Sequence, residues 1–181
     1  TGLQLRGVWS GGFLQFDPTR FGLINPPSIK GELQFSLPSG PAWGTSVVKY
    51  RGLHKHQSRV VLDYTVDQVA VLESPSVETL NEKAHLVRRW EIAPATHELR
   101  AVVGSPGMSV SLRTAEERQI LESTPGTPTT LRILPHDTPL RVELLYPLTA
   151  PLEKNSVSSL LPLSDLPRPR PALFKAQIGT P

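Results

Sequence analysis

The stretch RVVLDYTVDQVAVLES, Arg59–Ser74, decides the fold. Val60, Leu62, Tyr64 and Val66 alternate with their neighbours, and a second apolar run, Val69–Leu72, follows Asp67-Gln68. Because strand side chains repeat with a period of two, this pattern predicts two half-buried strands folded back as a β-hairpin. Asp67-Gln68 is a poor match to the Asn-Gly type of two-residue turn, which leaves a longer loop or a bulge open as alternatives to a tight turn.

The same period continues in both directions. Beyond the polar stretch Ser76–Lys83, His85–Ile92 sets Leu86, Arg88, Trp90 and Ile92 on one side and Val87, Arg89 and Glu91 on the other. That mixture is expected near a sheet edge or a site, with Glu73 and the Arg88-Arg89 pair placed for a structural ion pair across neighbouring strands. Leu99–Val103, Met108–Leu112, Leu131–Leu134 and Leu140–Tyr146 are further strand candidates. Toward the N-terminus, Leu3, Leu5 and Val8 or Trp9, then Gly12–Phe16, then Leu33, Phe35 and Leu37 alternate in the same way. Ser10-Gly11-Gly12, Asp17-Pro18 and Asn25-Pro26-Pro27 separate them as turns. Only Thr114–Leu121 predicts a helix, with Thr114 three residues before Glu117 in capping-box spacing.

With 13 glycines and 19 prolines in 181 residues, long uninterrupted helices are disfavoured. The expected fold is an all-β antiparallel sandwich, jelly-roll-like, with at most one short helix. Residues 1–146 are assigned to the sandwich and 147–181 to an extended, proline-rich tail or linker. Pro167, Pro169 and Pro171 alternate there with Arg168 and Arg170, which excludes a central strand or a helix interior. Leu160, Leu161, Leu163 and Leu166 before them, and Leu173, Phe174 and Ile178 after them, are apolar anchors. The tail is therefore expected to run across the sandwich surface with these side chains docked.

Composition narrows the chemistry. Nineteen basic and 16 acidic residues give a net charge of +3, and the basic ones are scattered, so no nucleic-acid partner is expected. Apolar runs such as Val69–Leu72 fall far short of the roughly 18–20 residues needed to span a bilayer. There is no cysteine, which excludes disulfides, thiolate metal sites and covalent haem attachment within this segment, and no cofactor is expected in it. The chain opens at Thr1 without a charged-then-apolar leader and is expected to be one domain of a longer protein.

Three constellations merit a chemical reading. His54 and His56, two apart on a strand, face one way and can share a metal if a third ligand joins them; the alternative is a solvated hairpin tip. Ser10 lies in Val8-Trp9-Ser10-Gly11-Gly12, which lacks the glycine two residues ahead that a nucleophile elbow requires. Trp9, Phe13, Phe16, Phe21 and Trp43 interleave with Asp17, Arg20 and Asn25. Flat rings beside planar polar groups suit a pyranose, so Trp9, Phe16, Asp17, Arg20 and Trp43 are the candidate glycan-binding set; the competing reading is that the rings are core. No carboxylate pair stands at a spacing that marks a sugar-active hydrolase or lyase, the least supported alternative.

LRGVWSGGFLQF (Leu5–Phe16), KGELQF (Lys30–Phe35), GPAWG (Gly40–Gly44), YRGLHKHQSRVVLDYTVDQVAVLESP (Tyr50–Pro75) and RRWEIAP (Arg88–Pro94) occur in this order. Together they resemble an uncharacterised bacterial domain family of very large exported proteins. The resemblance covers Leu5–Gly104. It implies a β-rich insert ahead of a sorbosone-dehydrogenase-like propeller, with a c-type cytochrome domain elsewhere in the chain. The family pattern has a glycine in the hairpin turn where this chain has Asp67-Gln68, and a longer insertion than Gly44–Lys49. It brings no catalytic residues. The resemblance implies a non-catalytic accessory module of an exported, haem-linked sugar-dehydrogenase-like protein, with the propeller as partner and haem c in another domain; a carbohydrate-binding module is the alternative.

Overall fold

Short turns between strands of alternating burial account for most of the architecture. The computed structural model describes residues 3–19, 24–56, 59–113, 117–149 and 163. β1 (Gly7–Ser10), β2 (Leu14–Gln15), β3 (Ser28–Ile29) and β4 (Glu32–Ser36) pair among themselves, β1 with β4 and β2 with β3. Next come β5 (Val48–His56), β6 (Arg59–Val66), β7 (Val69–Leu80) and β8 (Lys83–Ile92), an antiparallel meander. β9 (Leu99–Gly104), β10 (Ser111–Leu112), β11 (Gln119–Glu122), β12 (Thr129–Ile133) and β13 (Leu140–Pro147) complete the order. The meander joins β13 and β10 in a six-stranded sheet of order β10-β13-β8-β7-β6-β5, and β11-β12-β9 form a second sheet. Among the described residues the chain is all-β and antiparallel, without an α-helix.

The expected hairpin is present, and of the alternatives left open at its turn the structure takes the tight one. Val66 stands directly opposite Val69, and Asp67 and Gln68 make a two-residue turn with φ of 46° and 72°. Left-handed backbone at both positions matches the right-handed twist of the strands, at about 1–2 kcal/mol per non-glycine residue. Asp67 offsets this cost locally. Its carboxylate accepts the Val47 N–H at 2.7 Å, and its own N–H donates to the Val47 carbonyl at 2.9 Å. Asn81 and Glu82 (φ 47° and 63°) make the equivalent turn between β7 and β8.

The helix expected over Thr114–Leu121 is corrected. Residues 114–116 lie outside the described residues, and Gln119–Glu122 is β11, paired with β12 from Gln119↔Ile133 to Glu122↔Thr130. A two-turn helix is marginal by itself, whereas a strand edge satisfies these backbone groups at once. Ile120 and Leu121 then fall on opposite faces, Ile120 exposed and Leu121 against the core.

One core lies between the two sheets. Tyr64, Val71, Trp90 and Val142 from the larger sheet meet Val103 and Leu131 from the smaller one. Each aliphatic side chain buried this way contributes on the order of 1.5–3 kcal/mol. In the middle of the apolar layer sits an ion pair. Glu73 Oε1 accepts from Arg88 Nε at 2.8 Å and from an Nη at 2.7 Å, while Glu73 Oε2 accepts the Tyr64 hydroxyl at 2.9 Å. The Arg88 guanidinium also lies 4.9 Å from the centre of the Trp90 ring. Burial opposes the charge on Arg88, but Glu73 outweighs it, so the guanidinium is held more firmly protonated than in water. Burial, with Glu73 next, pushes the Tyr64 hydroxyl well above its ordinary pKa.

The tail touches the opposite face of the six-stranded sheet. Leu163 is buried against Val61 and Leu72, and its N–H donates to a Glu91 carboxylate oxygen at 2.7 Å. The other expected anchors, Leu160, Leu161, Leu166, Leu173, Phe174 and Ile178, lie outside the described residues, as does the segment from Pro167 to Pro171.

Arg88→Met strands a buried carboxylate and is expected to lower unfolding stability by about 3–5 kcal/mol. Adding Glu73→Leu removes the orphaned charge and restores part of that loss, leaving only the Tyr64 hydroxyl without its acceptor. Urea denaturation of the single and double variants reads the difference, and equal stabilities would contradict the coupling. Leu163→Ala is expected to cost about 2–3 kcal/mol in the same measurement if its packing resembles a core leucine's.

Candidate functional site

The N-terminal ribbon stands apart from the packed layers. At its base Val8 and Phe35, directly opposite in the β1–β4 pairing, lie against the core, and the Phe35 ring stacks on Tyr146 at 5.3 Å. The Leu37 N–H donates to the Arg6 carbonyl at 3.1 Å, and the Ser105 hydroxyl donates to the Ser36 carbonyl at 2.7 Å. Further out the two strands are pinched together at a pair of glycines. A Cβ on Gly12 would stand 1.8 Å from the Lys30 carbonyl oxygen, and one on Gly31 2.4 Å from the Ser10 carbonyl oxygen. Only glycine permits both approaches. Beyond the pinch the Lys30 N–H donates to the Phe13 carbonyl at 2.8 Å and β2 pairs with β3, so the ribbon resumes.

The outer part of the ribbon carries apolar side chains into solvent. Phe13 is 75% exposed and Phe16 55%, and Ile24 and Ile29 are exposed as well. Asp17 holds the turn after Phe16. One of its carboxylate oxygens accepts the Thr19 N–H at 2.7 Å and the other the Asn25 side-chain amide at 2.5 Å. These two bonds, the backbone one first, hold the carboxyl below its usual pKa. Both oxygens are thus committed to shaping the loop.

Among the described members of the proposed glycan-binding set, Trp43 does not join the ribbon residues. Trp9 is half-buried on β1, opposite Leu33, and Phe16 and Asp17 lie further along the ribbon. Arg20 lies outside the described residues. Trp43 belongs to the core, 2% exposed, with its ring centre 5.0 Å from that of Trp90 and 6.4 Å from that of Tyr64. A ring enclosed in this way offers no face to a sugar. Its segment is fixed by the Val102 N–H, which donates to the Ala42 carbonyl at 2.7 Å. The sequence signal that Trp43 shares with the ribbon rings was aromaticity alone, and its distinguishing partners, Tyr64 and Trp90, are remote in sequence.

His54 is buried on β5, opposite Val61, and its Nε2 has no hydrogen-bond partner among the described residues. The backbone of His56 places it two positions along the same strand, and its side chain lies outside the described residues. Among the described residues no three His, Cys, Asp or Glu side chains converge as a metal-binding group.

The carboxylates next to arginines are arranged for cohesion. On the outer face of the six-stranded sheet Arg89 binds Glu78 and Glu143, and Arg113 binds the same two acids at 2.6 and 3.0 Å, closing a ring of alternating charge. Burial works to raise the Glu78 pKa, and the hydrogen bonds from Arg113 and Arg89 outweigh it, so the pKa falls. On the smaller sheet Arg132, then Arg100, hold Glu98 at about 2. Acids held so low are poor proton donors near neutral pH.

A family model described as a domain of unknown function, DUF6797, matches residues 2–73. The match takes in the ribbon, β5, β6 and β7 as far as Glu73, the acid that Arg88 neutralises from outside the matched segment. No curated protein and no solved structure matches the chain.

The pinch gives the ribbon a direct test. Gly12→Ala is expected to splay β1 from β4 and raise hydrogen exchange across 7–15 and 28–36 while the amides of β7, β8 and β13 stay protected. Unchanged exchange in the ribbon would show that the close approach at Gly12 is dispensable.

Proposed function

We propose that this chain is a non-catalytic accessory module of a larger exported protein, and that it docks on a neighbouring domain through the outer part of its N-terminal ribbon. The observation that carries this reading is the exposure of Phe13 and Phe16 on a ribbon whose base is fixed to the core. An aromatic side chain buries about 150–250 Å² on contact, so each exposed phenylalanine supplies part of an ordinary inter-domain contact of about 600–1,500 Å². A base held by stacking and hydrogen bonds keeps the rings presented, which lowers the entropy lost on docking. The resemblance to modules that precede a sorbosone-dehydrogenase-like propeller supports a β-propeller as the neighbour and an exported, haem-linked sugar dehydrogenase as the parent. The haem would belong to another domain, since covalent attachment needs cysteines that this chain lacks.

The exposed faces of the same two rings also favour a second reading, glycan binding at the ribbon. This reading leaves out Trp43, which is enclosed in the core, while Asp17 accepts from Thr19 and Asn25 in the loop after Phe16.

One experiment separates the two. The double variant Phe13→Ser/Phe16→Ser is expected to weaken calorimetric binding to the adjacent domain of the parent protein about a hundredfold or more, with an unchanged melting temperature. Wild-type binding to a glycan array that vanishes in the same variant would favour the second reading. If neither ligand is bound, or both are bound equally by the variant, the ribbon is not the docking element.

A further inference from the structure

The six-stranded sheet ends at β5, and among the described residues no strand pairs with its outer side. Lys49, Tyr50, Arg51, Leu53 and Lys55 are all exposed along it, Tyr50 by 58% and Leu53 by 54%. Register separates them into two rows. Tyr50 stands opposite Tyr64 and Leu53 opposite Leu62, so both point to the side of the sandwich core, beyond the reach of the second sheet. Lys49, opposite Thr65, points to the other side, where the Arg51 guanidinium lies 3.6 Å from Asp63. Lys55, opposite Val60, ends the inner row.

We propose that β5 is a docking edge for an extended acidic polypeptide segment, which adds to the sheet as a further antiparallel or parallel strand. A strand edge offers alternate N–H and C=O groups to any chain, so charge selects the occupant. Lysine and the irregularity between Tyr50 and Gly52 are devices that keep edges from pairing with copies of themselves. A second copy would set Lys49, Arg51 and Lys55 against a strand of the same charge. Lys49 and Arg51, on the outer row, attract a strand with carboxylates on alternate positions, and Lys55, at the end of the inner row, adds to the positive field without facing that row. Protection by charge alone has no use for Tyr50 and Leu53. An added strand with apolar side chains on its inner face would cover both rings and branches and extend the apolar layer by one row. The fitting partner is therefore a segment that alternates acidic and apolar residues. This surface is distinct from the ribbon.

The test uses the 181-residue chain and a labelled heptapeptide of alternating Glu and Val, with a Lys/Val peptide and a single-stranded oligothymidylate as competitors for the assignment. Fluorescence anisotropy is expected to show binding of the acidic peptide only, weakened about tenfold or more between roughly 0.05 and 0.5 M salt. Lys49→Glu/Lys55→Glu is expected to reverse the preference toward the Lys/Val peptide. Tyr50→Ser/Leu53→Ser is expected to weaken the acidic peptide about tenfold without altering the melting temperature. Hydrogen exchange should slow at the β5 amides on binding. Phe13→Ser/Phe16→Ser should leave the peptide affinity unchanged, which separates this proposal from docking by the ribbon. Absence of acidic-peptide binding, equal binding of both peptides, tighter binding of the oligonucleotide, self-association through β5, or protection confined to other strands would each overturn it.

Discussion

The ion pair between Glu73 and Arg88 is the constraint around which the two layers are arranged. An unpaired charge in an apolar core is strongly unfavourable, so each side chain requires the other, and both require further polar partners. Those partners come from elsewhere in the fold. Tyr64 on β6 donates to the acid, and Arg88 reaches the Tyr146 hydroxyl on β13 at 3.4 Å. Tyr146 in turn donates to the Val103 carbonyl on β9, in the other sheet, at 2.9 Å. The chain of bonds thus crosses the sandwich from one layer to the other. It also restricts register. A one-residue slip of β8 against β7 would send Arg88 to the opposite face and leave Glu73 buried alone, so the polar network adds specificity to apolar contacts that by themselves tolerate sliding.

This constraint explains why the segment matched by the family model is not a unit by physical criteria. Residues 2–73 supply the ribbon, two full strands and the acid, while the counter-charge and much of the covering layer come from β8, β9, β12 and β13. Folded alone, that segment would expose Tyr64, Val66 and Val71 and leave Glu73 without Arg88. The N-terminal ribbon and the C-terminal strands are therefore coupled even though they are far apart in sequence. The bonds from the Thr149 N–H and hydroxyl to the Gln34 side-chain oxygen, at 3.1 and 2.8 Å, are a direct expression of that coupling.

Much of this was legible because strand periodicity is local information. The alternation in Arg59–Ser74 and His85–Ile92 exposed the central strands, and the placement of Leu86, Arg88, Trp90 and Ile92 on one side agrees with their common burial. What failed or stayed open depended on tertiary partners. Asp67-Gln68 looks like a poor turn until the Val47 backbone is seen to engage Asp67. Thr114–Leu121 looks helical until β12 is available to pair with Gln119–Glu122. Trp43 looks like a binding ring until Tyr64 and Trp90 close around it. The ribbon had a signal in Gly11-Gly12 and Gly31, but which glycines touch across two strands follows only from register.

The molecule separates cohesion from recognition by residue type. Its buried and half-buried acids are largely committed to arginines: Glu73 to Arg88, Glu78 and Glu143 to Arg89 and Arg113, and Glu98 to Arg132. Arginine suits this work because its planar fork serves two acceptors at once and keeps its proton even when buried. Lysine, a compact and strongly hydrated charge, is placed differently. Lys49 and Lys55 are exposed on the open edge of the larger sheet, beside uncovered Tyr50 and Leu53. A cation that stays hydrated retains its capacity to meet an incoming carboxylate, whereas an arginine locked between two acids does not. The chemical difference between the two basic side chains thus divides the larger sheet into an outer face closed on itself by ion pairs and an edge left open to a partner.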